Sequence, residues 1–359
     1  MTGERERGEI VRKFMIDQLQ DHPNDIVKVA AEKFDLTRQA VHKHVRRLME
    51  KGAITEEGQT RNKVYRLAPL ASWKKTYHVP SRITEDQVWN EDVAPSLGAM
   101  AANVLNIWHY GFTEMFNNAL EHSGSTLITV EMEKTAASAE ISIYDNGIGI
   151  FKKIQVAADL LDERHAVLEL AKGKFTTDPE NHSGEGIFFS SRMFDGFDIS
   201  SNGVHFFHEF NRKVDQILRS TTASSGTTVR MRLREHTSRT TKEIFDIFSI
   251  DDDYGFTKTI VPVKLTEYGD DNLVSRSQAK RLLARIERFK VVIFDFAGVT
   301  SVGQAFADEV FRVFARRHPD IEITSVNAVQ EVKRMISRAL LHDALAQNES
   351  DKKSSSQDG

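Results

Sequence analysis

Hydrophobic positions recur with a helical period three times near the start of the chain. In GEIVRKFMIDQLQDH, Ile10, Val11, Phe14, Met15 and Leu19 share one stripe, which predicts an amphipathic helix closed by His22-Pro23. IVKVAAEKF predicts a short second helix. Thr37 is then placed to cap a third, RQAVHKHVRRLMEKG, which packs through Val41, Val45 and Leu48 and ends on Gly52. AITEEGQTRNKVYRLAP reads as two short strands, Ala53–Ile54 and Asn62–Leu67, around a charged turn. Residues 69–82 mix Pro, Ser, Lys and aromatics and predict a semi-ordered linker.

Helical pattern resumes at Thr84, with Glu85 and Asp86 in the first turn, and runs to Leu105. Phe112, Met115, Phe116, Ala119 and Leu120 then form a core-facing stripe, while Glu114 and Asn118 sit one turn apart on a second stripe. Asn117 and Asn118 each cost about 0.5 kcal/mol relative to Ala inside a helix, which points to a role outside local helix energetics. A carboxylate one turn before an amide is one way to hold a hydrated Mg²⁺ and polarise a hydroxyl beside a phosphate. A half-buried helix with a solvated polar edge would show the same pattern.

Three later segments carry related chemistry. The strand EISIYD leads into YDNGIGI, where Gly147 and Gly149 allow backbone close to a flat ligand and Asp145 can accept from an exocyclic amine. In HSGEGIFFSSRMFD, Gly184 and Gly186 precede an apolar run, so a loop leads into a helix whose free N–H groups favour phosphate. SGTTVRMRL, with Gly226 and Thr227, closes the set.

In that order the four segments resemble the ATP-binding domain of the GHKL superfamily, which includes gyrase, Hsp90 and MutL-type ATPases, sensor histidine kinases and anti-sigma-factor serine kinases. The resemblance covers roughly Val88 to Arg234, and the wording of TEMFNNALEHS and SGEGIFFSSRMFD is closest to the anti-sigma kinase branch. It implies an α/β sandwich, a mixed sheet with helices on one face, that binds ATP and Mg²⁺. By position, Glu114 matches the general base, Asn118 the Mg²⁺ ligand and Asp145 the adenine reader. Gly147 and Gly149 would shape the adenine pocket, and Gly184 and Gly186 would contact phosphates. His122 and Thr227 complete the implied ATP-binding set. Residues 151–181 fit the mobile lid of this family.

The first 68 residues resemble a winged helix-turn-helix, which implies DNA binding. Arg38, Gln39, His42 and Lys43 would offer donors to base edges, and Arg46, Arg61 and Lys63 would neutralise phosphates. A protein-interaction module with a merely solvated basic face is the alternative.

Downstream, FTKTIVPVKLTEYG, KVVIFDF and IEITSVN alternate with three helical patterns, SRSQAKRLLARIERF, QAFADEVFRVFARRHP and AVQEVKRMISRALL. This βαβαβα order over 236–342 predicts a small parallel or mixed sheet. VVIFDFAGVTSVGQAFADEV resembles the STAS domain of anti-sigma-factor antagonists. Where those have Asp-Ser-Ser-Gly, this chain has Gly303-Gln304-Ala305-Phe306, so the phospho-acceptor is absent, although Thr300 and Ser301 lie close by. A docking or signal-transmitting role for a protein partner is the implied function. Residues 343–359 have the polar composition of a disordered tail.

At 359 residues, 40% hydrophobic and 28% charged, the chain has room for two or three ordinary domains. Lacking cysteine, it has no disulfide and no thiolate metal site. Its charged start and the lack of a bilayer-length apolar run predict a cytoplasmic protein with no membrane partner. The charge is uneven. Residues 1–70 carry 14 Lys and Arg against 11 Asp and Glu, and the remainder 34 against 41, the asymmetry of a nucleic-acid module on an acidic body.

Two functions follow from these expectations. One is a transcriptional or signalling regulator in which a GHKL nucleotide switch biases a homodimer whose winged helix binds DNA. The other is an anti-sigma-type serine/threonine protein kinase acting on a separate partner, with Glu114 activating the acceptor hydroxyl. Either would be a Mg-dependent ATPase or kinase of the GHKL type. A histidine kinase fits less well, because His78 and His109 lack a dimerising hairpin and the His342-Asp343 pair has a surface character.

Overall fold

The computed structural model describes residues 2–59, 62–79, 82–180, 182–212, 214–220, 225–250, 255–267 and 273–341. Arg61, the His342-Asp343 pair and the 343–359 tail lie outside the described residues.

Three helices, α1 (Thr2–Gln18), α2 (Ile26–Phe34) and α3 (Arg38–Glu50), precede an antiparallel hairpin of β1 (Ile54–Glu57) and β2 (Val64–Leu67). Thr37 Oγ1 accepts from the Ala40 N–H at 3.2 Å and starts α3. The helices close over a small core of their own, with Val11, Met15, Leu19, Val41, Val45 and Leu48 buried. Ile10, expected in this stripe, is exposed. The first strand begins one residue later than expected, because the Ala53 N–H bonds back to Leu48 at the end of α3.

The expected linker is a strand. β3 (Ala71–His78) pairs along its whole length with β4 (Leu127–Lys134), turning Tyr77 into the core and Lys74 outward, as suits a sheet edge. With β5 (Ser138–Asp145), β6 (Gly196–Ser201), β7 (Val204–Glu209), β8 (Gln216–Arg219) and β9 (Thr227–Arg234) it builds a seven-stranded sheet in the order β3-β4-β5-β9-β6-β7-β8. Every neighbouring pair is antiparallel, so the sheet is not mixed as expected. Short hairpins join β4 to β5, β6 to β7 and β7 to β8, and a hairpin reverses the chain.

Helices cover one face. The stretch expected as one helix is α4 (Glu85–Val88), a π-helical turn (Trp89–Val93) and α5 (Ala94–Leu97), broken at Gly98, whose φ is +65°. α6 (Ala102–Asn117) then runs into a second π-helical turn, Asn118–His122. α7 (Ile150–Ala157), α8 (Arg164–Lys172), α9 (Gly186–Met193) and α10 (Thr241–Ile247) complete the layer. Trp108, Phe112 and Phe116 of α6 and Ile128, Ile141 and Met231 of the sheet are buried in one cluster. Alternation along the strands leaves the opposite face polar.

The C-terminal unit is a parallel sheet of β10 (Lys258–Pro262), β11 (Val291–Asp295) and β12 (Glu322–Val326). Its helices are α11 (Arg276–Leu283), α12 (Gln304–Asp308) extended by a π-helical stretch to α13 (Ala315–Arg317), and α14 over 330–341. It is not separated from the central unit. Phe188 of α9 lies 4.6 Å from Phe256, which lies 5.1 Å from Phe289, and both units belong to one continuous core.

Within the stretch expected as a lid, α8 is buried from His165 to Lys172 and packs on β10, and Lys153, Ile154, Leu170 and Phe175 to Thr177 line a cavity. Among the described residues no helix is long and apolar enough to cross a membrane.

Candidate functional site

A cavity of about 320 Å³ lies between the helical layer and the middle of the large sheet. Into it converge Glu114, Asn118 and His122 from α6 and its π-helical turn, Asp145 from the end of β5, and Gly149 ahead of α7. Gly184 and Gly186 arrive from the start of α9, and Thr227 from β9. Residues far apart in the chain thus share one space.

Asp145 and Thr227 are cross-strand partners at the floor, and both are buried. Asp145 Oδ1 accepts from the Gly147 N–H at 2.8 Å, and Thr227 bonds the same carboxylate. Thr227 Oγ1 in turn accepts from the Ile150 N–H at 3.0 Å and fixes the first turn of α7. Burial pushes the Asp145 carboxyl above its ordinary range, against these bonds. Gly147 does not line the cavity. It turns the chain beneath it, where a Cβ would overlap the Ser123 carbonyl.

The opposite wall is built around α9. A Cβ at Gly186 would overlap Oε2 of Glu114, so only glycine lets that carboxylate approach the helix start. Gly184, with φ +72°, brings its backbone against Phe175 of the covering segment. Burial raises the Glu114 carboxyl; nearby His182 opposes this and Glu185 adds to it. Glu185 is itself raised by burial. Two carboxyls held near each other in a half-buried site favour retention of a proton. Among the described residues the Asn118 side-chain amide has no hydrogen-bond partner, and it faces the cavity one turn from Glu114.

Three residues here escaped the sequence reading. Lys153 lines the cavity, its Nζ donates to the His122 carbonyl at 2.8 Å, and burial lowers its ammonium. The signal was its spacing: four residues after Gly149, it falls one helical turn beyond the glycine pair. His182 and Glu185 lie on either side of Gly184, and no periodicity marked them. His122 is held below its ordinary value by burial, then by Lys153 and His182.

The second expected site is a surface. Arg38, Gln39, His42, Lys43 and Arg46 are all exposed on α3, opposite Val41, Val45 and Leu48. Nζ of Lys63 is 2.8 Å from Glu56 Oε1 across the hairpin. Arg61 lies outside the described residues.

One comparison with known proteins bears on this chain. Residues 278–333 match a STAS-like domain of unknown function, DUF4325. The match runs from within α11 through β11, α12 and β12 into α14, so the C-terminal unit holds a STAS-like domain. No curated protein matches the chain.

Proposed function

We propose that the cavity binds ATP with Mg²⁺, as in the GHKL superfamily, and that the occupied and empty states alter the affinity of an N-terminal winged helix for DNA. The convergence of Glu114, Asn118, Asp145, Gly184, Gly186 and Thr227 on one cavity carries this reading. Its size is at the lower end of small-molecule pockets, about 300–1,000 Å³. Asp145 is suited to accept from the exocyclic amine of adenine while Thr227 holds its carboxylate in place. Gly184 and Gly186 line the cavity where α9 begins, and the free N–H groups of a helix start favour phosphate oxygens. The amide of Asn118, unpaired among the described residues, offers a hard oxygen to the cation, and Mg²⁺, when bound, supplies charge neutralisation at the phosphates. Glu114 stands beside them, where a carboxylate accepts a proton from water or a hydroxyl.

The exposed Arg38, Gln39, His42, Lys43 and Arg46 favour DNA as the macromolecular partner of α3. The sharing of one core between the central unit and the STAS-like domain favours a regulator in which nucleotide state reaches the rest of the chain. A serine/threonine kinase is the second reading, favoured by the raised Glu114 carboxyl beside a helix start. Incubation with γ-labelled ATP, with and without Glu114→Ala, separates them. Unmodified protein with intact ATP or released phosphate fits the regulator. Label transferred to a partner protein and lost in Glu114→Ala fits the kinase.

A further inference from the structure

At one edge of the cavity, His122 and His182, which line it, meet Glu121. Glu121, His122 and His182 each present one ligand atom, and these atoms lie within 4.8 Å of one another. Nε2 of His182 is 2.9 Å from Oε2 of Glu121, and the His122 and His182 rings meet edge to face with centroids 4.6 Å apart. Two donors on a tetrahedral cation with bonds of about 2.0–2.1 Å are separated by about 3.3 Å. The Glu121–His182 pair is therefore near that spacing, and the His122 donor lies within 4.8 Å of both. Two imidazoles and one carboxylate suit zinc, cobalt or nickel, whereas magnesium and calcium take oxygen donors.

We propose that Glu121, His122 and His182 form a binding site for a divalent transition cation, zinc in the first instance, with a fourth position left to water. Glu121 and His122 belong to the π-helical turn that follows α6, whereas His182 belongs to the segment that covers the cavity. A cation here ties the cover to the helix that forms the cavity wall. It is separate from the Mg²⁺ position assigned to Asn118, which uses an amide oxygen and no imidazole. If the nucleotide reading also holds, cation and nucleotide strengthen each other's binding, since both favour the covered state.

The test is titration of the full chain with Co²⁺, without nucleotide, read by the visible absorption of four-coordinate cobalt, and with Zn²⁺ by calorimetry. One equivalent should bind, and His122→Ala and His182→Ala should each weaken binding by at least about 100-fold, with Glu121→Gln weakening it by about tenfold. His205→Ala, on the far side of the sheet, should leave it unchanged. A melting curve in chelator checks that each variant folds, and His182→Gln replaces His182→Ala if that variant does not. Absence of one-equivalent binding, or unchanged affinity in the folded His122 and His182 variants, overturns the proposal. Because nucleotide is absent throughout, failure of the ATP reading would leave this result standing.

Discussion

Nζ of Lys172 lies 2.8 Å from Oε1 of Glu169, one turn earlier on α8, and both side chains are buried. The same ammonium donates to the carbonyls of Arg281 and Ala284, each at 2.9 Å, where α11 ends. Arg285 reaches Oε2 of Glu169 at 3.2 Å, and Thr259 Oγ1 donates to the Lys172 carbonyl at 2.7 Å. A helix of the central unit is thereby bonded to both the sheet and a helix of the STAS-like domain. Burial lowers the Lys172 ammonium and Glu169 opposes that shift.

Removing one member of this pair strands the other. Lys172→Met should destabilise the chain by about 3–5 kcal/mol, and Lys172→Met with Glu169→Leu should recover a large part of that loss. Urea unfolding of the two variants measures both, and a Lys172→Met curve superimposable on the parent would show that the pair carries no stability.

Gly186→Ala places a methyl group against Glu114 Oε2. Alanine is the better helix former, so the helix itself is not weakened. Nucleotide affinity should fall roughly tenfold, equivalent to about 1.4 kcal/mol, with little change in melting temperature. Calorimetry and thermal melting of the same sample check the two halves.

Asp198, on the polar face of the large sheet, has its carboxyl pushed up to about 6, first by burial and in spite of Arg230 and Arg232. A carboxyl raised in the folded state contributes stability that is fully present below its unfolded value, about 3.9, and is lost as pH rises through about 6. Asp198→Asn should remove that loss and make the chain more stable above pH 6, by an amount on the order of 1 kcal/mol after solvent screening. Urea midpoints at pH 4, 6 and 8 test it.

On α3, Arg38→Ala and Arg46→Ala should both weaken DNA binding, Arg38→Ala with a relaxed sequence preference and Arg46→Ala with a salt dependence reduced by about one unit of slope. Lys63→Ala should have a smaller effect, because Glu56 already engages that ammonium. Fluorescence anisotropy across a salt series distinguishes the three.

Local periodicity made the elements around both sites legible. Val41, Val45 and Leu48 fixed the face of α3, and the same reasoning placed Phe112, Met115 and Phe116 inward with Glu114 and Asn118 on a second stripe, which faces the cavity. Two kinds of error came from partners distant in sequence. Lys172 and Glu169 lie in the stretch expected as a lid yet are buried, and a buried charge reads as exposed until its partner at Arg281 is known. β3 looked like a linker because Lys74 and Lys75 break its apolar alternation, and only pairing with β4 reveals an edge strand. The sheet's direction was likewise hidden, as strand order depends on which hairpins form.

The proposed nucleotide site is tested most directly by the affinity of the full chain for ATP, measured by calorimetry with and without Mg²⁺, beside Asp145→Asn and Asn118→Ala. Binding that is strengthened by Mg²⁺, lost in Asp145→Asn and made insensitive to Mg²⁺ in Asn118→Ala is the expected result. Absence of ATP binding by the parent chain, or equal affinity in the folded Asp145→Asn variant, would contradict it.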